Sequence, residues 1–238
     1  MARIAWLAVA LAACGVSPTA GVPDAGAPAP DAAEQTSAGF GDIAGACGVL
    51  DDRELLGPTP QLFRGSMTFA RGFSDPMDRP LLTPGGLRMI ETPNAGGNSV
   101  LSEVFAFEQL ARCELAALLK TETEIVYDQH GKITDLEVAI DGHKIGVSVV
   151  RAMTFPVGQP YTIDAATTII RRKLEDIQVS SAHVSAADRW TKQILAVVAY
   201  DDQHADVVAQ VWSGFDASVR GDTLLVVTVT HGDDMFLY

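Results

Sequence analysis

The chain has 238 residues, of which 47% are hydrophobic, 20% charged and 7% aromatic. That allows one large domain or one domain plus a tail, excludes two full enzymatic domains, and is too apolar for disorder throughout. The 17 basic residues against 30 acidic ones leave a net charge of -13, which speaks against a nucleic-acid partner held through its phosphates.

Met1 to Ala13 carries one positive charge, at Arg3, then an apolar or small run from Ile4 to Ala13, and reads as a secretory signal. The run is too short to cross roughly 30 Å of hydrocarbon as a helix. Leu11-Ala12-Ala13-Cys14 resembles the lipobox of bacterial lipoproteins. The resemblance implies cleavage before Cys14, acylation of its thiol and new amino terminus, and attachment to an envelope membrane. Two or more chains hold stably where one does not. Gly15 after the cysteine resembles lipoproteins sent to the outer membrane. The competing reading leaves Cys14 in an unprocessed apolar leader.

Residues 14–39 are Ala, Pro, Gly, Asp, Ser and Thr with few larger apolar side chains, the composition of a lipidated flexible tether. In an exported chain Cys47 and Cys113 are then free to pair. The alternative, that Cys113 is a small buried helix residue with Cys47 far away, stays open. Residues 40–98 are broken by Pro58, Pro60, Pro76, Pro80, Pro84 and Pro93, so the expectation is an irregular N-terminal arm with short helices. Leu55, Leu56, Phe63, Met67 and Phe69 would pack it.

The α/β domain is expected over 99–238. Val104, Phe107, Ala111, Leu115 and Leu118 predict a helix over Val100 to Leu119, capped by Ser99 or Asn98. Strands are predicted at Glu124–Tyr127, Lys132–Ile140 and His143–Arg151, the last two joined by Asp141-Gly142, a two-residue hairpin signal. A helix through Ile163, Ala166, Ile170, Leu174 and Ile177 follows, then a buried strand at Ile194–Tyr200. A helix with Val207, Val208, Val211 and Trp212 and a strand at Thr223–Thr230 complete the order. Helix, three-stranded antiparallel meander, helix, strand, helix, strand is an α/β (α+β) arrangement around one mixed sheet.

This order resembles the core of the restriction-endonuclease-like PD-(D/E)XK superfamily. There a helix glutamate, a second-strand aspartate and a third-strand Glu-x-Lys hold a divalent cation such as Mg2+ and activate water. Glu103 matches the helix acid and Asp135 the strand acid and metal ligand. With Asp141 and Gly142 as the loop, Ile140 faces His143, and counting back sets Asp135 opposite Ser148. The expected glutamate is therefore Ser148 and the expected lysine Val150, and both changes remove chemistry. Glu137, two positions from Asp135 on the same face, is the substitute acid. Lys144 and Arg151 replace the lysine only after a register change. The implied protein is a non-catalytic binding or assembly module needing no cofactor, held to the membrane by its lipid and touching an envelope protein. The alternative is a metal-dependent nuclease or phosphodiesterase using Glu103, Asp135 and Glu137.

Other motifs carry less. Asn94 to Ser99 reads as a turn and cap, because it lacks the lysine of a phosphate loop. His130, His143, His183, His204 and His231 show no zinc spacing and are expected at the surface or in turns. Gly146-Val147-Ser148 is half of a nucleophile elbow, placed inside a strand. Arg171-Arg172-Lys173, next to Glu175 and Asp176, reads as a solvated face, and Trp190, Trp212 and Phe215 as core or partner contacts.

Overall fold

Asp141 and Gly142 adopt the two positive φ angles, 47° and 79°, of a tight hairpin with the twist of its strands. They join β4 (Leu136–Ile140) to β5 (His143–Ala152) in the expected register, Ile140 opposite His143 and Leu136 opposite Val147. A computed structural model describes residues 39–93 and 99–238. The leader, Cys14 and all of the expected tether but Gly39 lie outside the described residues, as does most of the Asn94–Ser99 turn.

The hairpin belongs to one seven-stranded mixed sheet. Its other strands are β1 (Asp42–Gly45), β2 (Gln61–Phe69), β3 (Ala117–Thr121), β6 (Lys192–Ala199) and β7 (Leu224–Gly232). The spatial order is β1-β2-β7-β6-β5-β4-β3; the four strands from β2 to β5 run parallel, and both flanks are antiparallel. Strands β6 and β7 carry continuous apolar runs, Ile194 to Ala199 and Leu224 to Val227, because both their faces are covered there, as buried parallel strands require.

Six α-helices lie among the described residues: α1 (Asp52–Leu56), α2 (Pro84–Glu91), α3 (Val100–Cys113), α4 (Ile163–His183), α5 (Asp202–Gly214) and α6 (Ala217–Arg220). Alternation along the strands divides the interior in two. Val138, Val147, Ile194 and Val226 pack with Val104, Phe107 and Leu110 of α3 on one face. Leu195, Val197, Leu225 and Val227 pack with Ile170 and Leu174 of α4 and Val208 of α5 on the other. Trp190, Trp212 and Phe215 are buried.

The structure corrects three boundaries. The helix expected to Leu119 stops at Cys113: Leu115 takes a left-handed φ of 52°, and the amides of Glu114 and Ala116 both turn back to the Leu110 carbonyl. Leu118 then lies on β3 and still packs against the core that α3 covers, so its spacing imitates helical periodicity. The strand expected at Glu124–Tyr127 is a turn, closed by the Thr121 amide on the Glu124 carboxylate at 2.9 Å; only Tyr127 bridges, to Val184. The next strand starts at Leu136 instead of Lys132.

A further correction concerns the expected arm. Residues 40–93 hold β1 and β2, and β2 is an interior strand paired with β7 over its whole length, from Gln61 opposite Leu224 to Phe69 opposite Gly232. Prolines before β2 and Gly65 within it mask the pattern. Leu55, Met67 and Phe69 are buried as expected, Phe63 is half-buried, and Leu56 is exposed.

Cys47 and Cys113 form a disulfide, which closes the question left by their spacing. Beside it the Glu114 carboxylate accepts the amides of Gly48, Val49 and Leu50 at 2.9–3.0 Å, fixing the β1–α1 connection to the end of α3.

Candidate functional site

Helix α3 begins beside the β4–β5 hairpin, and α4 runs back across the other face of the same strands. The space left between the start of α3, the approach to β4, the second half of β5 and the middle of α4 is a cleft of about 340 Å³. Glu103, Glu122 and Asp135 form its acidic side; Arg151, Arg172 and Lys173 form its basic side.

Asp135 sits one residue before β4, where its Oδ2 accepts the Val149 amide at 2.5 Å, a side chain continuing the ladder in place of a backbone carbonyl. The same oxygen lies 3.5 Å from Lys173 Nζ. Glu103, buried in the first turn of α3, accepts the Ser99 hydroxyl at 2.6 Å, while Ser102 Oγ donates to the Ser99 carbonyl. An acid in the first turn is also favoured by the helix dipole. Glu122, directly after β3, is likewise buried. Arg151 donates to the Leu237 carbonyl at 3.3 Å and so leans toward the C-terminal residues.

Of the three acids named from sequence, the fold brings Glu103 and Asp135 into one cleft and leaves Glu137 out. Glu137 is fully buried on β4 beyond the cleft, with Lys144 Nζ at 3.2 Å. Lys144 itself donates to the Ala187 carbonyl at 2.7 Å, so it does not reach Asp135. Burial, helped by the negative charges of Asp135 and Glu137, raises the Tyr127 phenol above its ordinary range. Ser148 is buried within β5, which removes the half-elbow as a nucleophile. Val150 lines the cleft where the resemblance requires a lysine.

Glu122, Arg172 and Lys173 are charged cleft residues that sequence reasoning did not assign to the site. Arg171 and Arg172 are exposed, as the solvated-face reading expects, and Lys173 is half-buried; Arg171 also stacks over the Phe215 ring at 4.8 Å, and Arg172 and Lys173 line the cleft. His204, expected at the surface, is buried and stacks on Tyr161 with ring centroids 4.9 Å apart; its Nδ1 meets Asp201 Oδ1 at 2.5 Å.

The donor set can be tested against a divalent cation. A hard cation needs several oxygens converging at about 2.0–2.6 Å. Among the described residues no group of three His, Cys, Asp or Glu is placed to hold one. Asp135 spends its Oδ2 on an amide and a lysine.

No family model matches the chain, and no solved structure matches it. It is similar to the AAC-rich mRNA clone AAC4 protein of Dictyostelium discoideum, 41% identical over 163 residues that cover 66% of this chain and 24% of that protein. The chain thus spans about a quarter of the length of the curated relative it matches. Among the described residues no helix is long and apolar enough to cross a membrane.

Proposed function

We propose that this is a lipid-anchored envelope protein whose α/β domain has a restriction-endonuclease-like core and works as a binding module instead of a nuclease. The run α3, β3, β4, β5, α4, β6 follows the superfamily's order of helix, three antiparallel strands, helix and parallel strand. The observation that supports the non-catalytic reading is the β4–β5 register, Leu136 opposite Val147, from which Ser148 and Val150 follow on one face of β5 and bring neither an acid nor a lysine. A neutral hydroxyl is a poor ligand for a hard cation, and valine stabilises no developing charge. The disulfide supports export, because such bonds persist in oxidising compartments.

The cleft, acidic on one side and basic on the other, suits a partner surface carrying both charges. Incubating the purified chain with DNA or RNA and Mg2+ or Mn2+ tests the reading: no cleavage is expected. In intact cells, crosslinking should recover an envelope neighbour that Arg172→Glu with Lys173→Glu releases. Acylation is read separately, as the mass of the Cys14 peptide.

One observation favours a second reading, a metal-dependent phosphodiesterase. Lys173 reaches Asp135 from α4, so a lysine stands by the strand acid even though β5 carries valine at position 150. Metal-dependent cleavage abolished by Asp135→Ala and by Lys173→Met would establish that reading and overturn the first.

A further inference from the structure

The two most exposed large apolar side chains among the described residues, Phe155 at 93% and Met77 at 80%, are both on loops at one end of the sheet. Met77 follows β2 and Phe155 follows β5; Met235, half exposed, follows β7. Because β2, β7, β6 and β5 are parallel and adjacent, all three loops leave from the same rim. The strands bearing Met77 and Phe155 are three spacings apart, about 14 Å.

These tips are held in place. Thr154 Oγ1 donates to the Gln159 carbonyl at 2.9 Å across the base of the Phe155 loop. Around Met77 the charges cancel locally, Arg71 pairing with Asp78 and Arg79 with Asp75. Phe236, next to Met235, packs into the ring cluster of Phe40, Phe69, Phe73 and Phe105 with centroids 5.0–6.0 Å apart, a rigid floor beneath the rim.

The N-terminal connection arrives at this same end. Asp42 pairs with Thr68, so Gly39 and Phe40 lie beyond the C-terminal end of β2. Only 25 residues separate Phe40 from Cys14. A tether from Cys14 would therefore join the folded part at the rim's end of the sheet. A large exposed apolar side chain is unfavourable in water and gains where a bilayer interface accepts it.

We infer that the rim of Met77, Phe155 and Met235 docks on the bilayer that holds the anchor, the apolar tips entering the headgroup region. The inference rests on the lipid-anchored reading. It commits to a neutral phospholipid surface, since the acidic chain gains nothing from an anionic one.

The test separates docking from acylation. The chain is tethered through a hexahistidine replacing residues 1–14 to phosphatidylcholine vesicles doped with nickel-chelating lipid, with brominated phosphatidylcholine as quencher. Single tryptophans are introduced at the rim, Phe155→Trp or Met77→Trp, and at the far end of the sheet, Val126→Trp. Val126 is exposed there, with its amide on Asp188 and its carbonyl accepting from Ser185. The resident Trp190 and Trp212 are buried and set the background. At least a twofold loss of emission is expected from the rim probes, and none beyond background from Val126→Trp. Equal quenching at both ends, or no quenching at the rim, overturns the inference, and the latter makes the rim a surface for a protein partner. Failure of acylation appears only in the Cys14 mass and leaves this readout intact.

Discussion

Removing the Cys47–Cys113 disulfide gives the most direct measure of how the N-terminal strands are held. The bridge closes a loop with a sequence separation of 66. In the chain-entropy model a loop of that length takes about 4 kcal/mol from the stability when it is opened. For a folded part of about 200 residues, with an unfolding entropy of about 2 cal/mol/K per residue, that loss lowers Tm by about 10 °C. The paired variant Cys47→Ala with Cys113→Ala avoids burying a new hydroxyl at Cys113, which is enclosed. Urea unfolding followed by circular dichroism, parent against variant, gives the difference from the shift in midpoint at constant slope. Native mass spectrometry after alkylation without denaturant checks that the parent has no free thiol at either position. A difference below about 1 kcal/mol, or ready alkylation of the parent, would refute the assignment of a constraining bridge.

Other outcomes follow from buried or shared polar groups. Burial pushes Tyr161, whose hydroxyl has no hydrogen-bond partner, up to about 12 from an ordinary 10.0. The folded chain thus keeps that proton while the unfolded chain loses it, and stability falls by about 2 kcal/mol as pH rises from 10 to 12; Tyr161→Phe should flatten this slope in alkaline urea titrations at little cost near neutrality. Glu114→Gln weakens three amide hydrogen bonds at once and should cost about 1–2 kcal/mol, read from the same unfolding curves. Glu137→Leu should be neutral or stabilising by about 1 kcal/mol, because both carboxylate oxygens lack hydrogen bonds and the partly exposed Lys144 can turn to water. A loss above about 2 kcal/mol there would show that the buried ion pair is needed.

What could be read in advance depended on how local its physical cause is. The Asp141-Gly142 hairpin was legible because two adjacent residues determine it, and the register followed by counting as far as Leu136 opposite Val147; beyond it Asp135 leaves the strand and takes the Val149 amide on its side chain. The end of α3 was not, since Leu118 contacts the same core from a strand that it would have met from a helix. Nor was β2, whose partner β7 comes from the far end of the chain. The acids Glu103 and Asp135 stood out by their order along the elements. Lys173 escaped notice because its approach to Asp135 depends on how α4 crosses the sheet, which the sequence around residues 171–176 does not encode by itself.

The pairing of β2 with β7 has a consequence for biogenesis. Gln61 finds its neighbour only when Leu224 is available, so β2 stays unpaired on that side until β7 has been made. Such late closure raises the entropic barrier to folding.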